Sequence, residues 1–379
     1  MKIVVNCNGL WQGGGRGLGL NLLRSLDAMD SDHEFLVVAP KGVGYEELEL
    51  SRQFTTRLEP RRRLNDVWRL YFDQRVLPRL CEEYGADVLL SMGNMGPINP
   101  PCKHVLLFHN SYWVYSGRHY SRIEPAKRLR YIVMTRLFRR ILRNVSTLVV
   151  QTETMRKRVQ DLYGFAGDVE VIGTNVVQRD LLPNTNPSKN LERSLQQHED
   201  RFKFLCVTRY RSHKNLEALA DAVRILQDQY TKTTLFLTIG PHDGYRSTRF
   251  LKKITEPPLS NHIVNLGPIE PGDLPALYSH CDSVVLPTLM ESFSASYPEA
   301  MQFGLPIITS DLDFARETCG PAAIFVDPWN PTDIAEGMKK VIDDADLRRE
   351  LVDLGHQQYV KYPMPWETIA GRFLAALEG

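Results

Sequence analysis

Short apolar runs, each followed by a stretch of helical periodicity, confine this chain to a small set of folds. The runs occupy residues 3–5, 35–39, 88–90, 105–108, 148–150 and 169–172 in the first half. In the second half they occupy 204–207, 235–239, 263–265, 284–286, 307–308 and 323–326. Runs of this length, apolar throughout and bounded by turn residues, read as strands buried on both faces. With helices between them they form parallel sheets covered on each side. A polar stretch over 178–200, with Pro183 and Pro187, separates the two sets. The expectation is an α/β protein of two doubly wound, Rossmann-like domains facing across a cleft. Residues 1–180 form the first domain, 181–200 a linker and 201–363 the second domain. A last helix within 364–379 follows Pro363 and Pro365. It carries Trp366, Ile369, Phe373, Leu374 and Leu377 on one stripe, and packs on either domain.

Composition excludes several classes. A chain of 379 residues with 43% hydrophobic and 24% charged residues is an ordinary soluble globular protein. Its six cysteines (7, 81, 102, 206, 281 and 319) form no CxxC pair, so buried free thiols are expected rather than disulfides or zinc ligands. The opening Met-Lys-Ile-Val-Val-Asn reads as a short strand, without the apolar core expected of a leader. No run approaches the ~18 apolar residues of a membrane span, so a cytoplasmic location is expected. The net charge of +1 divides unevenly, with +7 in residues 1–180 and −6 in the remainder. The two halves are therefore expected to face different partners.

The strongest chemical signal is Glu291-Ser-Phe-Ser-Ala-Ser-Tyr-Pro-Glu299, between the apolar run 284–286 and a helix ending at Gly304. One carboxylate precedes the helix and the other lies a turn inside it. They are roughly 6–9 Å apart along the helix direction, from a rise of 1.5 Å per residue. A nucleotide sugar spans such a gap. The second domain also opens with a basic loop after its first strand, Thr208-Arg209-Tyr-Arg-Ser-His-Lys214-Asn215. Arg209 suits bidentate phosphate binding and Lys214 adds a point charge, so a diphosphate can be balanced without a metal.

Taken together, Arg209, Lys214-Asn215, Gly267, Glu291-x7-Glu299 and Gly304-Leu-Pro306 resemble the donor domain of the retaining glycosyltransferases of family 4, which have the GT-B fold. The resemblance implies that Glu291 contacts the donor sugar and Glu299 the ribose. It implies that Arg209 and Lys214 bind the diphosphate, and that the backbone of Ser292, Phe293, Ser294 and Ala295 cradles phosphate. The turn bearing Gly267 and Ile269 holds the nucleobase. Ser292 and Ser294 stand where members of the family often carry glycine, and Thr174-Asn175 stands where they have Asn-Gly. In the first domain the run from Gly13 to Gly19 follows the first strand, where the family has a loop over the phosphate and acceptor region. Gly14, Gly15 and Arg16 are donor-site candidates there, against a plain tight turn. The run does not fit G-x-G-x-x-G, and no acidic residue ends the second strand, which counts against a dinucleotide cofactor. His109 ends the fourth anticipated strand. It is read either as a satisfied strand-end histidine or as the family's histidine beside the donor sugar. His104, at the start of that strand, should point away. The polar loop 240–244 is a candidate to border the nucleotide. Asp311-Leu-Asp313 is not read as a metal site, and neither metal nor cofactor is expected.

The implied activity is retaining, metal-independent transfer of a mannose-like or glucose-like hexose from a nucleotide diphosphate-sugar. The acceptor is a saccharide or lipid-linked saccharide in surface glycan or lipopolysaccharide-type synthesis. Catalysis falls to Glu291, His109, Arg209 and Lys214. The alternatives are a nucleotide-sugar epimerase or hydrolase of the same fold, or a non-catalytic nucleotide-sugar-binding subunit. Two basic segments, 61–79 and 122–143, stand out. The second places Leu129, Ile132, Val133, Leu137 and Ile141 on one helical stripe, opposite Arg136, Arg139 and Arg143. It is either a core-packed helix with a solvated basic face or a peripheral contact to an anionic membrane surface. No nucleic-acid module is present in the sequence.

Overall fold

The structure, a computed structural model, describes residues 1–29, 31–60, 65–173, 187–240, 244–362 and 364–379, with the backbone alone at 65 and 66. Arg61 to Arg63, Thr174-Asn175, Pro183, Pro363 and the middle of the 240–244 loop lie outside these residues. The chain divides into two compact units. One comprises the described parts of 1–115, 125–175 and 364–379; the other comprises 116–124 and the described parts of 176–363.

In the first unit, the described residues form a parallel sheet of β1 (Lys2–Asn6), β2 (Glu34–Pro40), β3 (Phe54–Glu59), β4 (Val88–Ser91), β5 (Lys103–Leu107), β6 (Thr147–Val150) and β7 (Asp168–Val171). The spatial order is β3-β2-β1-β4-β5-β6-β7. Side chains alternate across the pleat, so β1 serves two cores at once. Ile3 and Val5 join Leu22, Leu23 and Leu26 of helix Gly13–Asp27. Val4 joins Phe72, Leu77, Leu80 and Cys81 on the opposite face. The C-terminal helix Trp366–Glu378 belongs to the first of these cores, where Ile369, Ala370, Phe373 and Leu377 are buried.

β3 is absent from the strands expected of the sequence. It is an edge strand, and Thr55, Thr56 and Arg57 are exposed. A strand that is half solvated does not read as a continuous apolar run. Its presence makes the strand before His109 the fifth in the chain. The helix Pro125–Leu142 departs from its expected stripe. Phe138, Ile141 and Leu142 are buried, whereas Leu129, Ile132 and Val133 are 64%, 46% and 54% exposed. Only the C-terminal turns of that helix lie over the unit's core, so the apolar stripe outruns the surface that could cover it.

In the second unit, the described residues form a parallel sheet of β8 (Phe202–Cys206), β9 (Thr233–Leu237), β10 (Ile263–Asn265), β11 (Ser283–Leu286), β12 (Ile307–Ser310) and β13 (Ala323–Val326), ordered β10-β9-β8-β11-β12-β13. Within the stretch read as linker, Lys189–Gln196 is a helix with Leu191 and Leu195 buried. Residues 116–124 also group with this unit. Arg246 Nη1 donates to the Arg122 carbonyl at 2.6 Å, and the Arg118 guanidinium lies 4.2 Å over the Trp329 ring. The sequence places 116–124 in the first domain because the signals at its edges, Ser116-Gly117 and Pro125, read as ordinary turns within one domain.

Candidate active site

The second sheet runs outward from β8 through β9 to β10, then resumes at β11 on the other side of β8. The loops that follow β8 and β11 therefore part, and open α/β sheets bind ligands in the crevice between such loops. The loop after β8 carries Arg209 and Lys214; the loop after β11 carries Glu291. Several bonds hold this pair of loops in register. Leu289 N–H donates to the His213 carbonyl at 2.8 Å. Asn215, buried and left-handed at φ +59°, begins helix Leu216–Leu226. Its Nδ2 donates to the Pro287 carbonyl at 3.1 Å and to the Pro328 carbonyl at 2.6 Å. One amide thus fastens the ends of β8, β11 and β13.

On this frame Lys214 Nζ donates to Glu291 Oε1 in a mostly buried ion pair. The two residues lie on the loops that bound the crevice, and a polyhydroxylated ligand there can exchange hydrogen bonds with either. Arg209 is exposed at the rim, two residues beyond Val207. Burial pushes the neighbouring His213 imidazole well below its ordinary pKa, helped by the charges of Lys214 and Arg211, so it is a neutral spacer.

The segment after Glu291 runs through Ser292, Phe293, Ser294 and Ala295 before helix Ser296–Gln302 begins. Glu299 is the fourth residue of that helix and accepts a hydrogen bond on Oε2 from the Tyr278 hydroxyl at 2.7 Å. Burial pushes its carboxyl above the usual range, opposed by the Tyr278 bond. One Glu299 oxygen is therefore fixed, which leaves the other to accept from ligand hydroxyls. Gly267 follows β10 at φ +78°, a conformation that favours glycine, and Ile269 is half-buried beyond it. Asn265 supports that turn by exchanging two bonds with Ile239, at 2.9 and 3.0 Å.

The first unit holds the remaining candidates. His109, just beyond β5, donates its backbone N–H to Asn94 Oδ1 at 2.7 Å. That fixes the amide so that Asn94 Nδ2 faces His109 Nε2 at 3.2 Å and donates to it. Nε2 is then the acceptor and Nδ1 carries the proton. Burial, and next the charge of Arg69, push the imidazole down to about 4. His109 is a neutral donor whose buried Nδ1 has no partner among the described residues.

The glycine-rich run is not a loop. Gly13 to Gly19 are the first turns of helix Gly13–Asp27, entered with Gly13 at φ +60°. Close packing at Gly15 and Gly19 offsets the weak helix propensity of those two. A β-carbon at Gly19 would stand 2.3 Å from the Tyr45 hydroxyl, and one at Gly15 would stand 3.8 Å from His109 Nε2. Gly14 is exposed, and Arg16 Nε donates to the Val43 carbonyl at 2.6 Å. His104 lies within β5, fully buried, with Nε2 3.0 Å from Ser91 Oγ. Asp311 pairs with Arg316 Nε at 2.5 Å.

Sequence reading misses Tyr278, which resembles a core aromatic in an apolar helix. It also misses Asn94, although Met92-Gly-Asn-Met-Gly96 after a strand is a turn signal, and Asn94 is left-handed at φ +65°.

Comparison with known proteins bears on both units. Residues 188–358 match the family model described as Glycosyl transferases group 1, and residues 13–176 match Glycosyltransferase Family 4. An uncharacterised glycosyltransferase of Methanocaldococcus jannaschii is 25% identical over 229 residues, 59% of this chain and 57% of the relative. The chain spans about half the length of the curated relatives it matches. Sucrose-phosphate synthase of Thermosynechococcus elongatus superposes with a TM-score of 0.74 at 18% identity, covering 100% of this chain and 98% of that one. The HepE protein of Anabaena, solved in complex with UDP-glucose, superposes with a TM-score of 0.72 at 18% identity, covering 100% and 99%. The fold is the one these structures share, GT-B.

Proposed function

The chain belongs to family 4 of the glycosyltransferases, and from that premise we propose that it transfers a hexose, with retention, from a nucleotide diphosphate-sugar to a saccharide hydroxyl. The observation that carries the reading is the Lys214–Glu291 pair at the β8/β11 crevice, with Glu299 half-engaged by Tyr278 eight residues on. In this reading Glu291 orients the sugar and Glu299 takes the ribose hydroxyls. Arg209 and Lys214 stabilise charge developing on the departing diphosphate, which needs no metal. His109 offers its Nδ1–H as a neutral donor. Neither glutamate is a nucleophile. The leaving phosphate oxygen takes the acceptor proton on the face where the new bond forms.

A thermal-shift screen with UDP, GDP, ADP and dTDP tests donor binding without an acceptor. Stabilisation by at least one nucleotide is expected, lost in Glu299→Ala. Arg209→Ala and Glu291→Ala, assayed with the nucleotide sugar so identified, should each lose about 100-fold or more in turnover. Near wild-type turnover in both rules the assignment out.

The reading includes peripheral attachment to a membrane. Among the described residues no helix is long and apolar enough to cross one. Exposed Leu129, Ile132 and Val133 share a helix with Arg136, Arg139 and Arg140, an arrangement that suits the boundary of an anionic bilayer. The protein should float with anionic liposomes, and replacing Leu129, Ile132 and Val133 by serine should release it. Equal retention on neutral lipid argues against the attachment.

A further inference from the structure

The first sheet has a crevice of its own. Its order reverses at β1, with β2 on one side and β4 on the other, so the loops after β1 and β4 part. One side chain fills that gap. Arg69, from helix Asn65–Tyr71, lays its guanidinium between Gly9 and Gly93. A β-carbon at Gly9 would stand 2.7 Å from Cζ, Nη1 and Nη2, and one at Gly93 would stand 2.5 Å from Nη2. Only glycine at both positions admits the cation.

Arg69 is clamped but not consumed. Its Nη2 donates to the Gly93 carbonyl. Its Nε stands 3.5 Å from Asp73 Oδ2, longer than the ~2.7–2.9 Å of a charge-assisted bond. Asp73 is 1% exposed on the π-helical turn Phe72–Val76, and its other oxygen accepts from Asn6 Nδ2 at 3.2 Å. Nη1 has no acceptor among the described residues, and the side chain is 26% exposed. The loops around it, 7–12 after β1, 92–98 after β4 and 108–111 after β5, contain no acidic residue. His109, which feels the Arg69 charge, lies on the last of them.

We propose that Arg69, set between Gly9 and Gly93 at the first unit's switch point, binds a phosphoryl group carried by the acceptor. The guanidinium edge meets two phosphate oxygens, as the planar fork of arginine allows. The phosphoryl group belongs either to a soluble sugar phosphate or to a phosphate-linked lipid. Calling the ligand an acceptor rests on the transfer reading above; the anion site itself does not.

The test is calorimetric titration, with and without UDP, using two probes: glucose 6-phosphate in solution and farnesyl phosphate in neutral-lipid nanodiscs. At least one probe should bind the wild type and weaken at least tenfold in Arg69→Met. Because that variant leaves Asp73 buried without its partner, Gly93→Ala provides a second measurement. It keeps both charges and displaces the guanidinium, and it should weaken the same probe at least tenfold. UDP affinity should stay within twofold in both variants. Binding of glucose 6-phosphate alone identifies a soluble acceptor; binding of farnesyl phosphate alone identifies a lipid-borne one. The site is overturned if neither probe binds the wild type, or if both variants bind as it does. Failure of the wild type to bind any of UDP, GDP, ADP and dTDP would count instead against the donor reading, while the phosphate titration still reports on Arg69.

Discussion

Asn215 shows how much a single residue carries. It is fully buried and left-handed, and its amide ties two carbonyls from other strand ends. Asn215→Ala should cost about 2–4 kcal/mol, combining αL strain with two lost bonds. Asn215→Gly should recover about 1 kcal/mol of that by relieving the strain. Urea denaturation of both variants separates the two contributions. The carboxylates divide differently. Glu299→Gln should raise the donor KM about tenfold or more, since a hydrogen bond to a charged group is worth about 1.5–3 kcal/mol. Its kcat should change little, and steady-state kinetics with varied donor will show the split. Lys214 and Glu291 are legible in the sequence because folding alone seldom calls for charges on short loops beside apolar strands, whereas a polar ligand does; Glu299 is legible by its spacing from Glu291. Asn94, Tyr278 and Arg69 are not legible. Their roles depend on what the fold places opposite them, and an amide, an aromatic and one arginine among many give no periodic signal.

At the scale of elements, strands buried on both faces are readable as apolar runs and the edge strand β3 is not. The same physics governs helix Pro125–Leu142, where an apolar stripe predicts a buried face only if a core lies beneath its whole length. Its N-terminal half has none. Leu129→Ser and Ile132→Ser should therefore change stability by less than about 0.5 kcal/mol. Phe138→Ala, stacked 4.4 Å from Phe108 and fully buried, should cost about 3–5 kcal/mol. Chemical denaturation of the three variants checks the contrast. The glycine run teaches the converse. Gly13 to Gly19 reads as a loop, but Gly15 and Gly19 lie inside the helix, where a β-carbon would crowd Leu10 at the first and clash with the Tyr45 hydroxyl at the second.

At the scale of the whole molecule, buried neutral histidines set its acid limit. Burial holds His104 at about 3 and His109 at about 4, against an ordinary value near 6.5. Below pH 6.5 the unfolded chain binds protons that the native chain does not. The stability these residues contribute is thus complete above pH 6.5 and falls as pH drops toward 4. Each should add about 1.4 kcal/mol per pH unit to that slope, and His104→Gln should flatten it by the same amount when unfolding is followed from pH 7 to 4.5. The C-terminal helix matters equally. Phe373→Ala should cost about 3–5 kcal/mol and should act on the first unit, though it lies at the opposite end of the chain from β1. The sequence by itself determined two parallel-sheet units and the charged set of the second, because strand burial and loop charge are local properties. Only the tertiary structure decided that the last helix completes the first core and that 116–124 joins the second unit. Only it set a neutral His109 and a clamped Arg69 at the first switch point. Each of these depends on contacts between residues far apart in the chain, which leave no mark in local composition or period.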